Sequence, residues 1–325
     1  MQCECMGINP KWPKIKGVVE RASKFRTEFT QFDVDRDDLH KYATREDIRL
    51  GLNTTNAPPT YEAERSGRYQ SEIALLHALK QEPWLQKLAE LHVIYLIGRQ
   101  FTFFWHHQYR IIWPNHPNGG LKSYSSQHAS NMLAITAMLG WKEAFIHQGY
   151  MTIAALNRGY QLEIEYEDEH RRAQAFMLRL FCDWVGDVSH QWPSYAYDEP
   201  IYEALLAQWR TPNPEDLVPC LLAACDRHTW QTGRDGTGSN FTDFSTPAYM
   251  RVPIEILFLF RLREWQGLSN PTLDHPLMAA PFDKLPEAQP IPELDELMQA
   301  VLKRAREDWP HYDEVLSIEA LKIST

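Results

Sequence analysis

From about residue 62 onward, hydrophobic residues recur at helical spacing, and alternation with a period of two is almost missing. Between Glu62 and Gln81, Tyr69, Ile73, Leu76 and Leu79 fall near one face, which predicts a helix. Pro83 fits a first-turn position, and a long helix is expected from there to about Trp113, where Pro114-Asn-His-Pro-Asn-Gly-Gly120 stops it. Ser125 or Ser126 can cap the next helix, through Leu139. Gly140 breaks it, and Trp141 to Asn157 forms its antiparallel partner, ending at Arg158-Gly159. Glu167 to Val185 reads as a further helix, with Phe176, Leu178, Leu180, Phe181 and Trp184 as apolar surface. Asp198-Glu-Pro200 opens a helix to Arg210, and Asn213-Pro214-Glu-Asp opens the next, to about Trp230, with an Asx cap and acids in the first turn. Thr246 to Trp265 is expected to be helical with a kink at Pro253, and a Pro-rich linker then leads to a last helix, Glu293 to Trp309.

This pattern predicts an all-α fold of antiparallel helix pairs packed as a helical bundle or array. Only Leu162 to Tyr166 alternates, and that run is short. The chain divides into a polar N-terminal segment (1–60), punctuated by the loop Gly51 to Pro59, an N-terminal helical region (61–160), a C-terminal helical region (161–282), and a linker with a C-terminal helix (283–325). At 325 residues it can bury a core without disulfide staples. The five cysteines are odd in number and scattered, which argues against a disulfide framework; Cys3 and Cys5 alone make no metal site, and Cys220 and Cys225 read as core thiols.

Charge narrows the function classes. The formal net charge is −10 and no basic stripe appears, so direct nucleic-acid binding is not expected. An acidic protein attracts a basic partner and speeds its association. The N-terminus lacks the apolar core of a signal peptide, and the apolar runs Leu91 to Ile97 and Ile254 to Phe260 are far short of a membrane span. A cytoplasmic protein without membrane contact is the expectation, with the oligomeric state left open.

The densest charge feature is Glu163, Glu165, Glu167, Asp168 and Glu169. Glu167 and His170 form a Glu-x-x-His pair that shares a helix face, as di-iron bundles require, but Glu143 and His147 do not repeat the spacing. The cluster reads as a solvated acidic helix start, an acidic patch for a partner, or one part of a metal site. Asp183, Asp187, Asp198 and Glu199 extend the acidity, interleaved with Trp184, Trp192, Tyr195, Tyr197 and Trp209. Acids with aromatic anchors suit capture of a basic protein. The run Gly233-Arg-Asp-Gly236-Thr-Gly238 follows a helix and lacks a Gly-Lys-Ser/Thr ending, so it is read as a loop and not as a phosphate cradle.

One set of elements carries a resemblance. Tyr202-Glu-Ala-Leu-Leu-Ala-Gln-Trp209 precedes Leu217 to Trp230, and a polar loop runs to Phe244. Tyr249 then leads into a helix containing Glu255, Leu268-Ser-Asn-Pro271 makes a short turn, and His275-Pro276 follows. In order and spacing, over roughly residues 65 to 282, the chain resembles the polymorphic-nuclease immunity family of bacterial polymorphic toxin systems, where Tyr-Pro often stands in place of His275-Pro276. The family's Gly-Tyr-Trp entry is absent, with Arg251-Val252-Pro253 in that neighbourhood, and Pro292 to Thr325 lies outside the pattern. The resemblance implies a cytoplasmic immunity protein that binds the toxin domain of an antibacterial effector, such as a DNase delivered by a type VI or similar secretion system, and occludes its active site. No catalysis and no cofactor are then required. The partner would be basic, opposed by Glu163, Glu165, Glu167, Asp168, Glu169, Asp183, Asp187, Asp198 and Glu199. Two other readings compete. One is an all-α metal-dependent enzyme built on Glu167 and His170. The other is an adaptor whose Pro-linked C-terminal helix docks to a partner.

Overall fold

The computed structural model of the chain describes residues 5–27, 31–46, 60–112, 126–160, 171–232, 243–244 and 246–323. Among these every regular element is a helix, so the fold is all-α. The central pair is α3 (Thr60–Leu79) and α4 (Leu85–Ile112). They touch at backbone distance because each presents a glycine to the other. A Cβ on Gly98 would overlap the backbone of Glu64, and one on Gly67 would overlap that of Tyr95. Beside them lie α5 (Ser126–Met138), α6 (Lys142–Asn157) and α7 (Arg172–Val185), followed by α8 (Pro200–Gln208), α9 (Val218–Thr232) and α10 (Ile254–Trp265). Their apolar faces meet in one large core, in which Phe145 contacts Phe181, Trp184, Phe258 and Trp265 and Phe176 stacks on Tyr202 at 4.5 Å.

Caps follow the sequence signals. Glu199 caps α8 with Pro200 at its first position, and Asn213 caps a short 3-10 turn that runs into α9. Gly186 ends α7 in the left-handed region at φ 72°. Pro253 differs from expectation. Instead of kinking one helix it separates a 3-10 turn, Pro247–Met250, from α10. Proline has no N–H to donate and disfavours helical backbone in the residue before it, so it suits a helix boundary better than a helix interior.

The N-terminal segment, expected to be polar and punctuated, carries two helices, α1 (Ile15–Thr27) and α2 (Gln31–Thr44). Ahead of them residues 7–13 strap across α9. Gly7 N–H donates to Asp226, Trp230 donates to Gly7 O, Asn9 N–H donates to Thr229, and Trp12 donates to Met250 O. At the other end, the Pro-rich linker is pinned to the α5–α6 corner by Gln289 N–H to Leu139 O, Trp141 to Gln289 O and Arg261 to Pro286 O.

The helix expected after the linker, α11 (Glu296–Asp308), is packed on the rest of the fold. It buries Met298, Val301 and Ala305, and with the short α12 (Tyr312–Val315) it closes a second core, where Trp309 and Tyr312 lie against Phe101 and Phe104 of α4. A last helix, α13 (Ile318–Lys322), packs beside α6. Cys225 is a free, fully buried thiol as expected, whereas Cys220 is disulfide-bonded rather than free.

Candidate functional site

The acids singled out from sequence divide into three groups. Glu163, Glu165, Glu167, Asp168 and Glu169, together with His170, lie outside the described residues. Asp183 and Glu199 are used internally. Asp183 accepts from Trp209 Nε1 at 2.7 Å and from Arg210. Glu199 is half-buried and accepts from Arg227 Nε at 2.5 Å, besides capping α8. Asp187 and Asp198 flank one surface loop. Asp187 accepts from Ser189 N–H at 2.8 Å, and exposed Asp198 lies 3.4 Å from Arg172.

That loop, residues 186–199, leaves the C-terminus of α7 and returns to the N-terminus of α8. It is short of internal helix except for the 3-10 turn Ser194–Tyr197. Val188 is 94% exposed and Tyr197 50% exposed, with Tyr197 held under Arg179, whose guanidinium pairs with Glu203. Between the loop and α7 opens a cleft of about 340 Å³. Leu156, Ala175 and Leu178 give it aliphatic wall, Trp192 and Tyr195 aromatic wall, and Arg171, Gln174 and His190 polar groups. Trp192 meets the His190 ring edge-on at 4.5 Å. Burial lowers the His190 pKa against a smaller opposing pull from Asp187, which leaves the imidazole neutral at pH 7. Its Nδ1 lies 2.7 Å from Asn157 Oδ1.

A second polar constellation went unread in the sequence. The run Asp226-Arg227-His228-Thr229 sits in the middle of α9 and is almost wholly buried. Its side chains radiate to separate partners. Asp226 takes Gly7 N–H and His275 Nε2, the latter at 3.3 Å. Arg227 takes Glu199, Asp243 at 2.7 Å and the Tyr202 hydroxyl at 3.2 Å. His228 lies 2.8 Å from Glu255 and 3.0 Å from Tyr249 O, stacked on Phe244. These partners come from the N-terminal strap, α8, the segment around 243, the 3-10 turn Pro247–Met250, α10 and the 275 turn. The run is therefore a polar hub that fixes six elements around α9. Four consecutive polar residues inside an otherwise apolar helix were the available signal.

A third polar group joins α3 to α4 and α5. Arg99 and Thr102 both donate to the buried Glu64, at 2.6 Å for Arg99 Nη1, and Arg68 Nη1 lies 2.9 Å from His128 Nε2. Burial and the neighbouring Arg68, Arg99 and Arg171 hold His128 well below the usual imidazole range, so it accepts from Arg68 as a neutral ring.

None of these constellations joins three or more His, Cys, Asp or Glu side chains in a metal-holding group among the described residues. No helix among them is long and apolar enough to cross a membrane. Of the arrangements, the hub and the α3–α4 group are buried and their hydrogen bonds run to the protein itself. The cleft beside loop 186–199 is the one that joins a concave, aromatic-walled opening to a loop carrying the exposed Asp198 and Tyr197. Comparison with protein-family models, with curated proteins and with solved structures gave no match.

Proposed function

We propose that this protein is an immunity protein that binds and neutralises a basic toxin domain, with loop 186–199 and its cleft as part of the contact surface. The observation that carries the reading is the cleft itself. Trp192 and Tyr195 wall an opening beside the loop that carries Asp187 and Asp198, on a chain whose net charge is −10. Concave aromatic pockets ringed by polar groups are where binding energy concentrates in protein interfaces. Surrounding acids raise the rate at which a basic partner arrives. Specificity comes from matching each acid with a base, since an unmatched buried charge is costly.

The function is binding rather than chemistry, and it requires no cofactor. The partner is the toxin domain of an antibacterial effector, a nuclease delivered by a type VI or similar secretion system being the form implied by the sequence resemblance. Occlusion of its active site in the cytoplasm is the mode of action we favour.

The test starts from the full chain, tagged and produced in a cell that expresses a candidate toxin. A secreted effector with a basic C-terminal domain should co-purify in stoichiometric amount, and co-production of this chain should restore growth to cells expressing that domain. Failure to restore growth, in cells shown to contain both proteins, would overturn the proposal. Lysine at Glu165, Glu167, Asp168 and Glu169 in one variant, and at Asp187 and Asp198 in another, then separates the two acidic regions as contact surfaces.

A further inference from the structure

The geometry points to a second binding site, at the corner where the N-terminal strap meets the start of α10. There Arg251 takes a carboxylate side chain from an acidic segment of a partner protein. The site shares no residue with the cleft beside loop 186–199, and it stands or falls independently of the immunity reading.

The strap builds this corner. Trp12 is buried, and its Nε1 donates to Met250 O at 2.9 Å, which fixes the indole beside the 3-10 turn Pro247–Met250. Arg251 follows that turn directly. It lays its guanidinium over the Trp12 ring, 3.3 Å from the centroid, and donates from Nε to Pro13 O at 2.7 Å. Stacking fixes the guanidinium plane, and the Nε bond fixes its rotation within that plane. Nη1 and Nη2 have no hydrogen-bond partner among the described residues and keep solvent-accessible surface. Burial draws the Arg251 pKa down to about 10 from 12.5, and no acidic neighbour pulls it back up. Other arginines are spent differently. Arg179, Arg210, Arg227 and Arg261 each pair with a carboxylate, and Arg263 donates to the carbonyls of Trp209, Thr211 and Ser269. Arg251 remains a half-buried cation at pH 7 with two reachable donors and no counter-charge.

The surroundings carry the same sign. Helix α1 packs on the 3-10 turn, and Arg21 brings Nη1 to 3.9 Å from Met250 Sδ. Exposed Lys11 and Lys14 stand on the strap either side of Trp12 and Pro13. Glu20 alone is acidic between residues 5 and 21, and it lies 3.9 Å from Lys16. A carboxylate matches this corner, because its two oxygens accept in one plane from Nη1 and Nη2. Further acids on the same segment would face Lys14 and Arg21. A phosphate ester brings up to two negative charges to a chain whose net charge is −10. A nucleic acid or an anionic bilayer spreads its charge over an area wider than this corner and would meet the acidic remainder of the surface. A short acidic segment touches the corner alone.

The experiment uses the full chain with arginine Nε–H and indole N–H groups isotopically labelled, at low ionic strength. It is titrated with a blocked tripeptide of aspartate, glutamate and aspartate, with its asparagine–glutamine–asparagine counterpart, and with inorganic phosphate. The Arg251 Nε–H resonance is assigned by its loss in Arg251→Lys. The acidic tripeptide is expected to shift it saturably, with a dissociation constant on the order of 1–30 mM for so small a ligand. The neutral tripeptide and phosphate are each expected to bind at least about fivefold more weakly. Arg251→Gln, followed at the Trp12 indole, should weaken the acidic tripeptide by at least about fivefold as well. Should that variant fail to fold, the comparison of the three probes on the unsubstituted chain decides the matter alone. No saturable shift at Arg251, an equal response to the neutral tripeptide, or undiminished affinity in a folded Arg251→Gln would overturn the inference. Phosphate binding as tight as the acidic tripeptide would overturn it too, and would assign the corner to a phosphate-bearing ligand. None of these probes is a toxin, so neither result bears on the immunity reading.

Discussion

His228 Nδ1 lies 2.8 Å from Glu255 Oε1, and neither residue has any exposed side-chain surface. The other ring nitrogen, Nε2, lies 3.0 Å from Tyr249 O and must donate to it, because a carbonyl only accepts. One further proton is therefore shared between Nδ1 and the carboxyl group. Glu255→Ala removes the carboxyl group that meets Nδ1 and leaves a polar nitrogen stranded in the core. It is expected to destabilise the fold by about 3–5 kcal/mol. Glu255→Gln keeps a group that can donate to Nδ1 of a neutral ring, and about 1–2 kcal/mol is expected. Urea denaturation of the two variants beside the parent measures both. Equal losses would mean that the pairing with His228 is not what holds α9 to α10.

The α3–α4 contact offers a sharper test of packing. Gly98 faces the backbone of Glu64, and no side-chain rotation can relieve a clash with main chain. Gly98→Ala is expected to cost about 3 kcal/mol, at the upper end for an inserted methyl group, because two helices must separate. Gly17→Ala is the control. No atom lies within 4 Å of its added Cβ, and in a helix alanine is favoured over glycine by about 1 kcal/mol. Opposite signs for the two substitutions, read from thermal or urea midpoints, are the expected outcome.

Much of this architecture was legible beforehand, and the exceptions share a cause. Most helices from α3 to α11 carry apolar stripes bounded by proline, glycine and Asx signals, so their limits could be read to within a few residues, α10 excepted, which starts at Ile254 and not at Thr246. The helices α1 and α2 could not. Val18 in α1, and Leu39 and Tyr42 in α2, are buried among the described side chains, but charged residues interrupt these short segments and hide their helical period. They hold through docking on other elements, α2 for instance on α11, where Arg304 covers the Tyr42 ring at 4.3 Å. The acids show the same divide. Sequence marks Asp183 and Glu199 as negative, but only the fold brings Arg210 and Arg227, each more than twenty residues away, to consume their charge. The cleft was invisible because its polar atoms come from α7, the loop after it and the end of α6, and spacing along the chain does not report that convergence.

Acid sensitivity has an identifiable source in His92. Its Nε2 donates to Thr136 Oγ1 at 2.8 Å, and Thr136 in turn donates to Met132 O, while Nδ1 is buried without a partner. Protonating Nδ1 would place an unsatisfied charge in the core, and burial pushes the pKa down to about 3 from 6.5. Between those values the unfolded chain binds a proton that the folded chain refuses. Stability from this group is therefore complete above pH 6.5 and falls as pH drops toward 3. The parent should lose about 2–3 kcal/mol more than His92→Gln between pH 6.5 and 4.5. Glu72, pushed up to about 7 by burial, acts in the opposite sense, but it is present in both proteins and cancels. A difference that does not change with pH would assign the acid sensitivity elsewhere.

The loop acids can be tested for steering without disturbing the fold. Asn at position 187 keeps an acceptor for Ser189 N–H, so Asp187→Asn preserves the turn while removing the charge. Asp198 is exposed, and its 3.4 Å contact with Arg172 is a weak surface pair, so Asp198→Asn should change stability by less than about 1 kcal/mol. If the loop guides a basic toxin domain, the double variant should associate several-fold more slowly at low salt. That deficit should close as ionic strength rises and the Debye length falls from about 30 Å at 0.01 M to about 8 Å at 0.15 M. Dissociation should change little, because steering charges at a rim act mainly on encounter. Stopped-flow association across a salt series reads both rates. A deficit that persisted at high salt, or that appeared in dissociation, would place Asp187 and Asp198 inside the contact itself, each matched to its own basic side chain.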